Sequence, residues 1–249
     1  MAGHNKWSKI KRQKAVTDAR RSKAWARTIR DIMMAAREGG GDPGMNPRLA
    51  LAVDKAKSEN MPKDNIERAI KRGTGEIEGA DYVEMTYEGY APGGIALFID
   101  ALTDNTNRTV ADIRAMLNKA GGSLGQSGSV AFQFNRKGVF DIPAGDHDEL
   151  ELFELVAEAG AEDLVAEDDS FTVTTAVENF GAVQGALSDA GIEVDDASLQ
   201  QIPVTTTTLP PKQAQSVLAL IDKLEEHQDI QAVFSTLEVD DATLAELDV

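Results

Sequence analysis

The sequence predicts an α+β multidomain protein, an N-terminal three-helix bundle followed by two ferredoxin-like βαββαβ domains, one inserted in the other. Three observations predict this. The first 72 residues carry three apolar stripes at helical spacing, and strand-like texture replaces them after Gly79. Between residues 138 and 200 the order strand–helix–strand–strand–helix–strand is legible. The expected boundaries are 1–78 for a basic helical nucleic-acid-binding domain, 79–135 with 203–249 for a discontinuous α/β domain, and 136–202 for the inserted one.

A first helix is predicted from Thr17, a cap candidate, to Gly39-Gly40-Gly41. Its apolar face is Trp25, Ile29, Ile32, Met33 and Ala36. Asn46 followed by Pro47 opens a second helix, with Leu49, Val53 and Ala56 as its buried stripe. The connector Asn60–Asp64 leads into a third, with Pro62 near its start, acids early, and Lys71 and Arg72 late, matching the helix dipole.

Tyr82–Glu88 and Gly94–Leu102 then read as strands, Asn107–Ala120 as a helix, and Gly121–Gly128 as a glycine-rich loop before a strand at Val130–Phe134. The inserted unit follows: strand Gly138–Ile142, helix Glu149–Ala159, strands Asp163–Ala166 and Phe171–Thr175, helix Asn179–Ala190, strand Glu193–Gln200. A strand at Val204–Thr208, a helix after Pro210-Pro211 and a strand at Ile230–Val239 close the chain. Joined to the strand–helix–strand of residues 94–134, these last elements complete a second βαββαβ.

Composition excludes several classes of function. With 42% hydrophobic residues the 249-residue chain can bury sizeable cores. No Cys is present, which excludes disulfides, thiolate metal sites, iron–sulfur clusters and Cys nucleophiles. No apolar run reaches about 18 residues, so no membrane partner is expected. The basic N-terminus lacks the apolar stretch of a secretory signal and the Ser content of a mitochondrial presequence. A cytoplasmic protein, monomeric, is the expectation.

Chemistry-bearing constellations are sparse. His4, His147 and His227 are far apart and lack helical metal spacing. Asp168-Asp169, Asp195-Asp196 and Asp240-Asp241 lie among 42 acids, near strand ends and turns where Asp is common. The Gly121–Ser129 loop follows a helix and lacks the Gly-Lys-Ser/Thr ending of a phosphate-binding loop, though its backbone amides could approach a phosphate of a larger ligand. No enzyme, cofactor or metal is therefore predicted; a metal-dependent nuclease is the rival from another class.

Charge carries the strongest signal. Residues 1–72 hold 18 Lys and Arg against 8 Asp and Glu, a net +10, whereas residues 73–249 hold 7 against 34, a net −27. A basic first third on an acidic body suggests that the first third meets a polyanion in one orientation, although the two parts could simply attract each other. The candidate contacts are Lys6, Lys9, Lys11, Arg12, Lys14, Arg20, Lys23, Arg27, Arg30, Lys63, Arg68, Lys71 and Arg72, with Trp7 placed to stack on a base or to pack in the core. On the first helix the cations fall roughly opposite the apolar face.

The same residues carry a family resemblance. Met1–Lys11, Asn60–Ile70 with Gly73-Thr74-Gly75, Tyr87-Glu88-Gly89-Tyr90, Leu102-Thr103-Asp104-Asn105, Asn107-Arg108-Thr109 and Gly128-Ser129-Val130 resemble the signature of the YebC/PmpR family along essentially the whole chain. Ala91-Pro92-Gly93 and Thr106 depart from it. The resemblance implies three domains, one inserted in another, and a non-enzymatic regulator of gene expression. Its bacterial members are described as DNA-binding transcriptional regulators; others act with the ribosome, easing translation of proline-rich stretches, and a mitochondrial member is a translational activator of cytochrome c oxidase. The implied partner is DNA, ribosomal RNA or both, with the transcriptional role first and a ribosome-bound translation factor as the alternative. No helix-turn-helix spacing is evident to decide between them.

Overall fold

The computed structural model describes residues 18–78, 82–145, 147–167, 169–239 and 243, with backbone alone for residues 18–24. In chain order its elements are α1 (Asp18–Gly39), α2 (Pro47–Ser58), α3 (Lys63–Gly73), β1 (Val83–Tyr90), β2 (Ala96–Thr103), α4 (Thr106–Lys119), β3 (Ser123–Leu124), β4 (Phe134–Pro143), α5 (Glu149–Glu158), β5 (Ala161–Ala166), β6 (Ser170–Ala176), α6 (Phe180–Asp189), β7 (Asp196–Pro203), β8 (Thr207–Thr208), α7 (Pro211–Glu225), β9 (Ile230–Ser235) and β10 (Leu237–Glu238). The protein is thus mixed α and β. It forms two compact units, one spanning 134–202 and the other 2–133 with 203–249.

In the larger unit, α1 packs on both α2 and α3. The bundle core is Ile32, Met33, Ala35 and Ala36 of α1 against Leu49, Val53 and Ala56 of α2, Met61, and Ile66 and Ala69 of α3. Met61 is only 6% exposed, so the connector that carries it serves packing. Asn46 caps α2 by accepting the Leu49 N–H at 3.1 Å. Its amide also donates to the carbonyls of Ala35 and Gly40, at 2.8 and 2.9 Å, which ties α2 to the end of α1. The two helices α1 and α3 approach closely at Gly73, where a Cβ would stand 2.3 Å from the Met33 carbonyl oxygen.

The same unit contains a four-stranded sheet in the order β3-β1-β2-β9. β1 and β2 form an antiparallel hairpin from Val83 opposite Thr103 to Tyr90 opposite Ala96. Its turn passes through Gly93 and Gly94, both at positive φ (81° and 77°), where a side chain would be strained. Helices α4 and α7 supply Ile113, Leu117, Val217, Leu218, Ile221 and Leu224 to the core beneath Leu97 and Ile99.

The second βαββαβ predicted for this unit is not formed. The strand expected at Val130–Phe134 is a single 3-10 turn at Ala131–Gln133, and Phe134 instead begins β4. In the sheet β3 takes the edge place expected for it, and the place beside β2 expected for the 204–208 strand is filled by β1, because a local hairpin closes with little loop entropy. The strand expected at Val204–Thr208 shrinks to β8, which pairs in parallel with β10 outside the main sheet. The strand expected at Ile230–Val239 breaks at Thr236, whose backbone N–H and side-chain oxygen turn to the Ala96 carbonyl and amide.

The smaller unit has the sheet order β5-β6-β4-β7, the arrangement of a split βαβ fold. β4 and β6 run antiparallel from Lys137 opposite Ala176 to Pro143 opposite Ser170. Phe140 and Phe180 stack with centroids 4.6 Å apart, and Leu152, Val156, Val183 and Leu187 close the core.

Candidate nucleic-acid interface

Of the residues expected to meet a polyanion, Lys6, Trp7, Lys9, Lys11, Arg12 and Lys14 lie outside the described residues. Arg20 and Lys23 fall on the backbone of α1. The remaining six divide into two groups.

Arg27 and Arg30 are not on an open face, contrary to the expectation from helical spacing. The reason is that α1 is covered twice, by α2 and α3 on its apolar side and by the sheet on another. Arg30 Nη1 donates to the carbonyls of Leu102, at 3.4 Å, and Gln228, and lies 3.9 Å from Asp229 Oδ1. Its guanidinium also sits over the Tyr82 ring, 5.5 Å from the centroid. Arg27 is half-buried, and burial lowers its pKa, helped by Arg30 and opposed by Glu225 and Asp31. Arg30 is therefore engaged inside the unit and joins α1 to the sheet.

Lys63, Arg68, Lys71 and Arg72 are exposed on α3. Lys63 pairs with Glu67 at 3.6 Å, the weak kind of helical surface pair. Arg68, Lys71 and Arg72 make no ion pair with any described residue. Arg68 and Arg72 are one turn apart, and with Asn65, Ala69 and Ile29 of α1 they line a notch of about 120 Å³. Two guanidinium forks and an amide beside an apolar floor suit a phosphate with its sugar alongside.

The larger unit also holds a charge hub that sequence reasoning missed. Asp229 is 2% exposed. It accepts from Arg108 Nη2 at 2.7 Å, Thr109 Oγ1 at 2.8 Å and Thr103 Oγ1 at 3.2 Å. Burial raises its pKa, but these donors more than offset that and hold the carboxyl below the usual range. The Asp229 N–H donates to His227 Nδ1, so the neutral ring carries its proton on Nε2 and donates it to Asp112 at 3.1 Å.

A second buried carboxylate, Glu88 at 5% exposure, accepts the backbone N–H groups of Gly128, Val130 and Ala131 at 2.6, 2.6 and 2.8 Å. Tyr90 adds a hydrogen bond to the Ser129 carbonyl. Within the Gly121–Ser129 loop expected to approach a phosphate, the Gly128 amide thus already faces an anion of the chain itself.

Asp31 sits where α1 meets β9, accepting from Gln231 Nε2 at 3.1 Å. Burial, aided by Glu84 and Glu59 and opposed by Lys55 and Arg48, pushes its pKa from 3.8 up to about 6. A raised carboxyl favours folding while protonated, so its contribution is full below pH ~4 and lost as pH rises to ~6. Asp31→Asn is expected to stabilise the protein at neutral pH by on the order of 2 kcal/mol. Urea titrations across that window check this. An Asn variant no more stable than the parent at neutral pH would refute it.

Among the described residues no group of three or more His, Cys, Asp or Glu is placed to hold a metal ion. None of their helices is long and apolar enough to cross a membrane.

A helical bundle with an α/β sheet in one unit, and a second α/β unit inserted in its chain between residues 133 and 203, defines the class of protein. Two family models match: residues 5–76 fit the TACO1/YebC protein N-terminal domain and residues 82–237 the TACO1/YebC second and third domain. The chain belongs to the TACO1/YebC family. A relative from Chlorobium phaeobacteroides, named a probable transcriptional regulatory protein, is 49% identical over all of both chains. One of the same name from Thermotoga maritima is 50% identical over 99% of this chain and 98% of its own. The crystal structure of a conserved hypothetical protein from Aquifex aeolicus superposes with a TM-score of 0.84. It is 42% identical and covers 90% of this chain and 93% of that one.

Proposed function

We propose that the protein is a non-enzymatic regulator of gene expression that binds duplex DNA through its basic helical part. The observation that carries this reading is the α3 face, where Arg68, Lys71 and Arg72 lie exposed and without ion-pair partners among the described residues. Around it the first 72 residues hold a net +10, while the acidic remainder repels a polyanion and so orients it. The names of the relatives support a regulatory role. Lys6, Trp7, Lys9, Lys11, Arg12, Lys14, Arg20 and Lys23 extend the contact, and Lys63 flanks it. Arg30 holds α1 in place rather than touching the nucleic acid, and the half-buried Arg27 is left out of the contact. In this reading 1–78 is the binding part, and 79–135 with 203–249 and 136–202 are two acidic domains.

The test is a fluorescence-anisotropy titration of labelled duplex DNA over a salt series. With about six phosphate contacts, log K should fall with log salt at a slope of about −5. Arg68→Glu with Lys71→Glu and Arg72→Glu should reduce that slope by about 3 and weaken binding at least about a hundredfold at physiological salt. Helicity should be unchanged, since all three side chains are solvent-facing. Equal slopes for parent and variant would remove α3 from the interface; tighter binding to a ribosomal RNA fragment than to any duplex DNA would overturn the DNA assignment.

A further inference from the structure

The inserted unit carries 17 Asp and Glu against Arg136 and Lys137, a net −15 over residues 134–202. Lys137 is already paired with Glu162 at 2.7 Å. Helix α5 is anomalous within this unit. Its buried side is Leu152 and Val156. Its solvent side should then be polar throughout, yet Leu150 is 65% and Phe153 46% exposed, and Ala157 is exposed beside them. At 100° per residue these three fall within about 60° of one another, an exposed ridge set roughly 110° round the helix from Leu152 and Val156. Glu149 flanks the ridge on one side and Glu151, Glu154 and Glu158 on the other, all exposed and without an ion pair to any described residue. The Asp148 carboxylate caps the helix, accepting from Leu150 and Glu151 N–H, so the ridge is presented on an anchored element.

We propose that this face of α5 is a docking surface for a basic amphipathic segment of a partner protein. The partner would place apolar side chains on Leu150, Phe153 and Ala157, and Lys or Arg against the flanking glutamates. Charge complementarity selects this occupant. Nucleic acid and anionic lipid are repelled by the surface, as is the same face of a second copy, and small cations leave the apolar ridge unused. An apolar centre within a charged rim is the usual anatomy of a protein interface, with affinity in the anchors and orientation in the rim. The inference is independent of the DNA reading, since α5 lies on neither of the elements that form the basic notch.

The test uses the full chain and a labelled synthetic helical peptide with leucines on one face and lysines on the other. Anisotropy should show saturable binding at physiological salt, and amide shifts in the NMR spectrum should concentrate in residues 149–158. Leu150→Gln with Phe153→Gln should weaken binding by about tenfold or more. Glu151→Gln, Glu154→Gln and Glu158→Gln together should flatten its salt dependence. Folding is expected to survive because every altered side chain is exposed, and thermal denaturation checks it. Duplex-DNA binding, measured in parallel, should be the same in parent and variants. A peptide with serines for leucines that binds equally well, a Leu150/Phe153 variant with parental affinity, or shifts centred elsewhere would each overturn the proposal.

Discussion

Asp229→Ala is expected to lower the stability of the larger unit by about 3 kcal/mol, because two buried hydroxyls lose their acceptor and Arg108 loses one charge-assisted hydrogen bond. Arg108 and the hydroxyls of Thr103 and Thr109 would all lose the acceptor that they share. Arg30 would lose the nearest opposite charge. For a chain of this length the melting temperature should fall by on the order of 10 °C. Asp229→Asn keeps the shape and one acceptor oxygen, so its loss should be smaller, about 2 kcal/mol. The pH dependence gives a second readout. A carboxyl held below its ordinary range stabilises the fold above its unfolded pKa, and that stability is lost as pH falls through the folded value. The gap between parent and Asn variant should therefore be widest at neutral pH and narrow on acidification. A melting shift under about 2 °C for Asp229→Ala would show the hub to be incidental.

The hub also shows what the sequence could and could not disclose. Thr103 and Arg108 belong to the segments that carry the family resemblance, but their partner is a lone Asp more than a hundred residues away, one acid among 42. No local pattern marks it, because tertiary convergence leaves no periodicity. Features written within one turn were legible. Asn46-Pro47 opens α2 as expected. The apolar stripes of α1 to α3 became the bundle core because their spacing is itself the packing instruction. Arg30 was misplaced for the converse reason. A helical wheel divides apolar from polar, and cannot show that a second neighbour covers the polar side. Val130 misled as a strand residue because its burial comes from a loop folded over Glu88 rather than from a sheet.

Glu88→Gln is expected to release that loop. The carboxylate faces three N–H donors, and burial, which raises its pKa, is outweighed by the hydrogen bonds from Gly128, Val130 and Ala131. An amide offers one oxygen, and its NH2 group would be set against donors, so at least one backbone N–H is left unpaired. A buried unpaired donor costs about 1–3 kcal/mol, and losing the charge assistance of the others adds about 1 kcal/mol more. The expected loss is therefore about 2–4 kcal/mol, with Glu88→Ala at the upper end. Because the folded carboxyl titrates below its ordinary range, this contribution too is present at neutral pH and lost on acidification, and Glu88→Gln should remove that part of the acid dependence. Amide hydrogen exchange resolves the cause. Protection at Gly128, Val130 and Ala131 should collapse in the Gln variant, while Leu97 and Ile99 in β2 stay protected. The Tyr90 hydroxyl bond to Ser129 should fail to hold the loop alone, since it pins a carbonyl and leaves the three N–H groups open. Protection retained at those three amides would mean that the loop is held by its own turns and that Glu88 only fills space.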